Sequence, residues 1–87
     1  MNNGDILLQV HSLINADRQN SYGPPSESFN RTAALWSAYM GMEITAKDVC
    51  VCMALLKLAR EAHRHKPDNL LDACGYIALA SDMEGDK

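Results

Sequence analysis

The chain has 87 residues, with 8 Lys+Arg against 11 Asp+Glu (net charge −3), and is 47% hydrophobic and 22% charged. One small domain is expected: the composition excludes a disordered or fibrous chain, and the acid excess argues against a duplex nucleic-acid binder while leaving room for a local basic pocket. Three cysteines, Cys50, Cys52 and Cys74, cannot all pair within one chain, which fits a reduced cytoplasmic protein. No basic leader or membrane-length apolar run is present.

Four helices joined by short connections are predicted, forming a single all-α domain over residues 1–87. The first spans about residues 5–17. Asp5 is a candidate cap, and Ile6, Val10, Leu13 and Ile14 fall at helical spacing. The following segment contains Arg18, Tyr22 and Gly23-Pro24-Pro25, and the Gly-Pro-Pro run ends one element and starts another. An arginine beside a Tyr-Gly turn can clamp a phosphate or stack on a base, or it can simply end a helix.

The second helix spans about residues 26–40, with Phe29, Ala33, Trp36 and Met40 as its apolar stripe and Leu35 and Tyr39 beside it. Phe29 and Trp36 read as core residues rather than a stacking platform. Glu27 lies in the first turn, where a carboxylate is favourable through the helix dipole and is also available as a metal ligand. Gly41 is a natural stop. Thr45-Ala46-Lys47-Asp48 then has capping-box spacing, with Asp in place of the usual Glu.

The third helix spans about residues 46–63. Val49, Cys52, Met53 and Leu56 lie along one stripe, and Val51, Leu55, Leu58 and Ala62 along another. A helix apolar around most of its circumference requires packing on two or more sides, and in so short a chain this predicts a homo-oligomer. Lys57, Arg60 and Arg64 share a face. Lys57 sits between Leu56 and Leu58, so its ammonium needs a partner.

Pro67 opens the fourth helix, about residues 67–82, in the first-turn position proline tolerates. Leu70, Leu71, Cys74, Ile77 and Ala78 are expected to face inward, with Asp68, Asp72 and Tyr76 on another line. The polar residues from Asp82 onward form a tail. A hairpin of the last two helices can set Asp68 and Asp72 against Lys57 and Arg60. Two readings stand: an internal salt-bridge ladder, or a site where carboxylates hold Mg²⁺ and cations hold phosphate oxygens. Zinc is disfavoured. Cys50 and Cys52 point about 200° apart on a helix, and His63-x-His65 matches no common zinc spacing. The cysteines read as core residues. No nucleophile elbow, Walker loop or dinucleotide fingerprint is present.

The string from Asp17-Arg18 through Tyr22-Gly23-Pro24-Pro25-Ser26-Glu27 to Trp36, together with Ile44–Val49, Leu56–Arg60 and Asp68–Tyr76, resembles a group of short bacteriophage proteins. These in turn resemble the MazG-like all-α nucleotide pyrophosphohydrolases. That resemblance implies a compact helical oligomer in which carboxylates of two helices hold Mg²⁺. It also implies cleavage of a nucleoside triphosphate to monophosphate and pyrophosphate. The family signature pairs Glu-x-x-Glu with Glu-x-x-Asp. Here Asn69-Leu70-Leu71-Asp72 resembles the second half, with Asn69 where Glu is expected, and only Glu27 stands for the first half.

The resemblance therefore implies Glu27 and Asp72 as catalytic residues, and Glu27, Asp68 and Asp72 as Mg²⁺ ligands, with Asp48 a further substitute. Arg18, Tyr22, Lys57, Arg60, Asn69 and Tyr76 would contact the nucleotide. Because the acid set is thin, two alternatives accompany hydrolysis. One is a noncatalytic sponge for a host nucleotide immune signal, such as a cyclic oligonucleotide or an ADP-ribose derivative. The other is a helical assembly module with no ligand.

Overall fold

The computed structural model describes residues 2–12 and 25–83. Among them every regular element is helical: α1 (Asn3–Ser12), α2 (Pro25–Met40), α3 (Ala46–His63) and α4 (Pro67–Ser81). The all-α, four-helix expectation is borne out. The expected end of the first helix near Asp17, and the connection carrying Arg18 and Tyr22, lie outside the described residues.

Local chemistry explains where the helices start and stop. Asn2, rather than Asp5, caps α1: its Oδ1 accepts from Asp5 N at 2.8 Å. Both residue types cap well, but with Asn2 in that role Asp5 falls into the first turn, where its charge suits the helix dipole. After α2, Gly41 adopts φ 71°, a left-handed conformation that favours glycine. The Ser37 hydroxyl donates to Ile44 O at 3.1 Å and accepts from Ile44 N at 2.8 Å, tying the α2–α3 connection back onto α2. The capping box forms as the spacing predicts. Asp48 N donates to Thr45 Oγ1 at 3.1 Å, and Thr45 N donates to Asp48 Oδ2 at 3.0 Å. Pro67 is the first residue of α4.

α3 packs against both α2 and α4, and α1 rests on α4. The core gathers Phe29 and Ala33 of α2, Ala46, Val49 and Cys50 of α3, and Leu79 and Ala80 of α4, with Trp36, Ile44, Met53 and Tyr76 packed against it. Phe29 meets Tyr76 edge-on, with ring centroids 6.1 Å apart.

Several expected inward residues differ. Leu70 and Ile77 of α4 are exposed, while Asn69, Ala73, Gly75, Leu79 and Ala80 are buried. Small residues let two helices approach closely, so α4 turns this face inward and leaves its larger side chains outside. Met40, Leu35 and Tyr39 of α2 are likewise exposed. On α3, Cys50 is buried as a core residue, but Cys52 is exposed and Cys74 on α4 is half-buried. The second α3 stripe, Val51, Leu55, Leu58 and Ala62, is exposed along its whole length.

Candidate functional site

The chemistry-bearing residues gather where α3 turns into α4. α3 runs to His63, and Arg64 adopts extended backbone while its N–H donates to Arg60 O. Lys66 is also extended, and Pro67 then restarts the helix. The resulting turn brings the last two turns of α3 beside the first turn of α4.

Glu61 holds this turn together. Its Oε1 accepts from Lys66 N at 3.2 Å and from Asn69 Nδ2 at 3.2 Å, and its Oε2 pairs with His65 Nδ1. Asn69 is only 7% exposed. Its Nδ2 donates additionally to Arg64 O at 3.3 Å, covering a carbonyl left over at the helix end. The hydrogen bond from His65 holds the Glu61 carboxyl below the usual glutamate range, with Asn69 and the Lys66 N–H adding to that effect against the opposing pull of desolvation.

Beside this network, Ala59, Arg60, His63, Arg64, Lys66 and Asn69 line a cleft of about 560 Å³. Arg60, Arg64 and Lys66 carry fixed positive charge, and none of them, nor His63, forms an ion pair among the described residues. Among the described residues, no carboxylate lines the cleft. In a chain of net charge −3 this is a local reversal of sign. Such a surface can hold an anion through charge-assisted hydrogen bonds, with each guanidinium able to fork onto two phosphate oxygens.

One turn earlier on α3, Lys57 Nζ meets Asp72 Oδ2 at 3.1 Å, and the two side chains are 18% and 33% exposed. The partner that the Lys57 ammonium needed is therefore Asp72. Asp68 is exposed in the first turn of α4, and Glu27 is exposed in the first turn of α2. Among the described residues, no group of three or more His, Cys, Asp or Glu side chains stands close enough to hold a metal ion. Glu27, Asp68 and Asp72 therefore do not form a Mg²⁺ ligand set within one protomer, and Asp48 is engaged in the α3 cap. Tyr76 packs on Phe29 at the core.

Of the sequence-predicted ligand contacts, Arg60 and Asn69 meet at the cleft, Lys57 pairs with Asp72 instead, and Arg18 and Tyr22 lie outside the described residues. Glu61, His63 and Lys66 were not among the expected site residues. The signal for Glu61 is its spacing, four residues before His65 and eight before Asn69.

The class defined by these features is a small all-α protein whose α3–α4 hairpin carries a cationic cleft. The chain belongs to the family described as Domain of unknown function (DUF6378), which matches residues 5–84. It is similar to the "Gene 55 protein" of Mycobacterium phage L5, 38% identical over 81 residues covering 91% of this chain and 52% of that protein. It is also similar to the "Gene 55 protein" of Mycobacterium phage D29, 38% identical over 72 residues covering 82% of this chain and 48% of that protein. The expected kinship with bacteriophage proteins is thus borne out, and the chain spans about half the length of these curated relatives. No solved structure matches it. No described helix is long and apolar enough to cross a membrane.

Proposed function

We propose that this chain binds a small phosphorylated molecule of nucleotide size in the cleft at the α3–α4 turn, without hydrolysing it. The observation that carries this reading is a cleft of about 560 Å³ lined by Arg60, His63, Arg64 and Lys66, with no carboxylate among its described lining residues. Its volume falls in the range of ordinary small-molecule sites, about 300–1,000 Å³. Phosphate groups match its charge, and a nucleotide matches its size.

The MazG-like resemblance supports a nucleotide as the ligand. That family's reaction needs Mg²⁺ and several carboxylates to screen the triphosphate and activate water. In this chain Asp72 is committed to Lys57, and Glu27 and Asp68 do not join it in a ligand set. Binding is therefore favoured over turnover. In a bacteriophage family, binding without turnover suits a sponge that sequesters a host nucleotide signal in the host cytoplasm. The closed Lys57–Asp72 pair is also what a ligand-free assembly module would display. The cations of the cleft, which form no ion pair among the described residues, favour ligand binding over the assembly module, because a cleft lined by one sign of charge concentrates counter-ions.

The test is a catch-and-release assay. Purified protein is incubated with nucleoside triphosphates, cyclic oligonucleotides and ADP-ribose derivatives, with and without Mg²⁺, and the free and heat-released fractions are chromatographed. The expected result is that one nucleotide disappears from the free fraction and returns intact, and that Arg60→Ala with Arg64→Ala abolishes the capture. Recovery of monophosphate and pyrophosphate would establish a hydrolase instead. Failure to capture any nucleotide at micromolar protein would refute the reading.

A further inference from the structure

We infer that the outer face of α3 is a self-association seam, on which a second copy of this chain packs its own α3 in antiparallel orientation. The observation is the placement of charge around this helix. From Val51 to Ala62 only three residues are charged, and none falls among the outer apolar positions, although Arg60 lies at their edge. Lys57 reaches Asp72 on α4, Glu61 reaches the α3–α4 turn, and Arg60 lines the cleft. What remains outside is apolar: Val51 (45% exposed), Leu55 (58%), Leu56 (41%) and Leu58 (43%), together with Cys52 and Ala62. At 3.6 residues per turn these positions cover an arc of about 160°. A solvent-facing helix shows the opposite pattern, with its charges outside.

The spacing specifies a helix as the occupant. Val51, Leu55, Leu58 and Ala62 recur at four, three and four residues, the spacing by which two helices interdigitate along a seam. The ends of α3 specify a second copy, running the other way. Its first turn carries Asp48 and its last turn carries Arg60 and His63. Antiparallel pairing sets the acidic end of each helix beside the basic end of the other and opposes their macrodipoles. With the two-fold axis between Leu55 and Leu58, Leu55 faces the partner's Leu58, and Val51 faces the partner's Ala62. The contact is self-complementary, as an isologous dimer requires. The thin protomer core points the same way. Five of its ten buried apolar residues are alanines, while twelve large apolar side chains stay exposed among the described residues.

The experiment is sedimentation velocity on the full chain between about 1 and 100 µM, concentrations that bracket a micromolar dissociation constant. A particle of twice the 9.6 kDa chain mass is expected, and Leu55→Glu should return it to the single-chain mass. Leu55 is exposed in the protomer, so the far-UV circular dichroism of that variant should keep the wild-type helical signal. Orientation is read from spin labels at Leu55→Cys or Ala62→Cys in a Cys52→Ser, Cys74→Ser background. At about 1.5 Å rise per residue and about 10 Å between axes, the antiparallel seam separates labels at 62 by about 8 Å more than labels at 55. A chain that stays monomeric throughout, covering this face with its own residues or leaving it for another protein, overturns the proposal. So does a dimer that survives Leu55→Glu, and so do equal label separations.

Discussion

Replacing Asn69 with aspartate probes the α3–α4 turn with almost no change of shape. Asn69 is 7% exposed, and its Nδ2 donates to Glu61 Oε1 and Arg64 O. Asp removes both donors and sets a second carboxyl against the first. Two part-buried hydrogen bonds of this kind contribute about 1–3 kcal/mol together. For a domain of this size each kcal/mol lowers Tm by about 4–8 °C, so a loss of about 2 kcal/mol corresponds to about 8–16 °C. The pH dependence gives the sharper test. In the wild type the Glu61 carboxyl is held below its ordinary range, chiefly by His65. Its contribution is therefore complete above the ordinary glutamate value and is lost as pH falls through the depressed one. The introduced carboxyl, facing that carboxylate, is pushed the other way. Its penalty is complete at neutral pH and shrinks as pH falls through its raised value, where the protonated form regains a donor. Thermal unfolding followed by circular dichroism at about pH 7 and about pH 4 should show a wide gap between variant and wild type that narrows in acid. A Tm gap of only a degree or two at neutral pH, or one that stays constant with pH, would refute the role assigned to Asn69.

Three further outcomes follow from local geometry. Thr45→Ala removes the hydroxyl acceptor of the α3 capping box and should cost about 1 kcal/mol in urea unfolding. A variant as stable as wild type would mean the box contributes nothing. Gly41→Ala places a side chain at φ 71° with no atom within 4 Å of the new Cβ, so backbone strain alone should destabilise it by about 1–2 kcal/mol. A neutral result would show that the turn relaxes. A double-mutant cycle of Lys57→Ala and Asp72→Ala should give a coupling of about 1 kcal/mol or less, because both side chains are partly solvated. A coupling of several kcal/mol would show the pair acting as a buried one.

The helix boundaries were legible in the sequence because their determinants are local. Thr45 and Asp48 lie three residues apart and satisfy each other's backbone. Pro67 and Gly41 act through their own φ angles. The faces were less legible. Reading inward positions from the larger apolar residues placed Leu70 and Ile77 in the core, whereas the core side of α4 is set by Ala73, Gly75 and Ala80. Periodicity finds a stripe, but how closely two helices approach decides which stripe is buried. At the site, the Lys57–Asp72 pair follows from an apolar neighbourhood that demanded a counter-charge. The role of Glu61 does not, because its partners depend on how the chain turns at Arg64–Lys66.

That turn also explains why Asn69 fits this chain where the resemblance leads one to expect Glu. Glu61 already supplies a carboxylate at the position Asn69 faces, and its Oε1 needs a donor there. A glutamate in place of Asn69 would set two carboxylates together, an arrangement relieved by a cation or by protonation of one of them. With asparagine, the amide donates to Glu61, and Asp72 keeps Lys57 as its counter-ion. The Glu61 and Asp72 carboxylates are thereby matched within the hairpin. Arg60, Arg64 and Lys66 line the cleft and form no ion pair among the described residues.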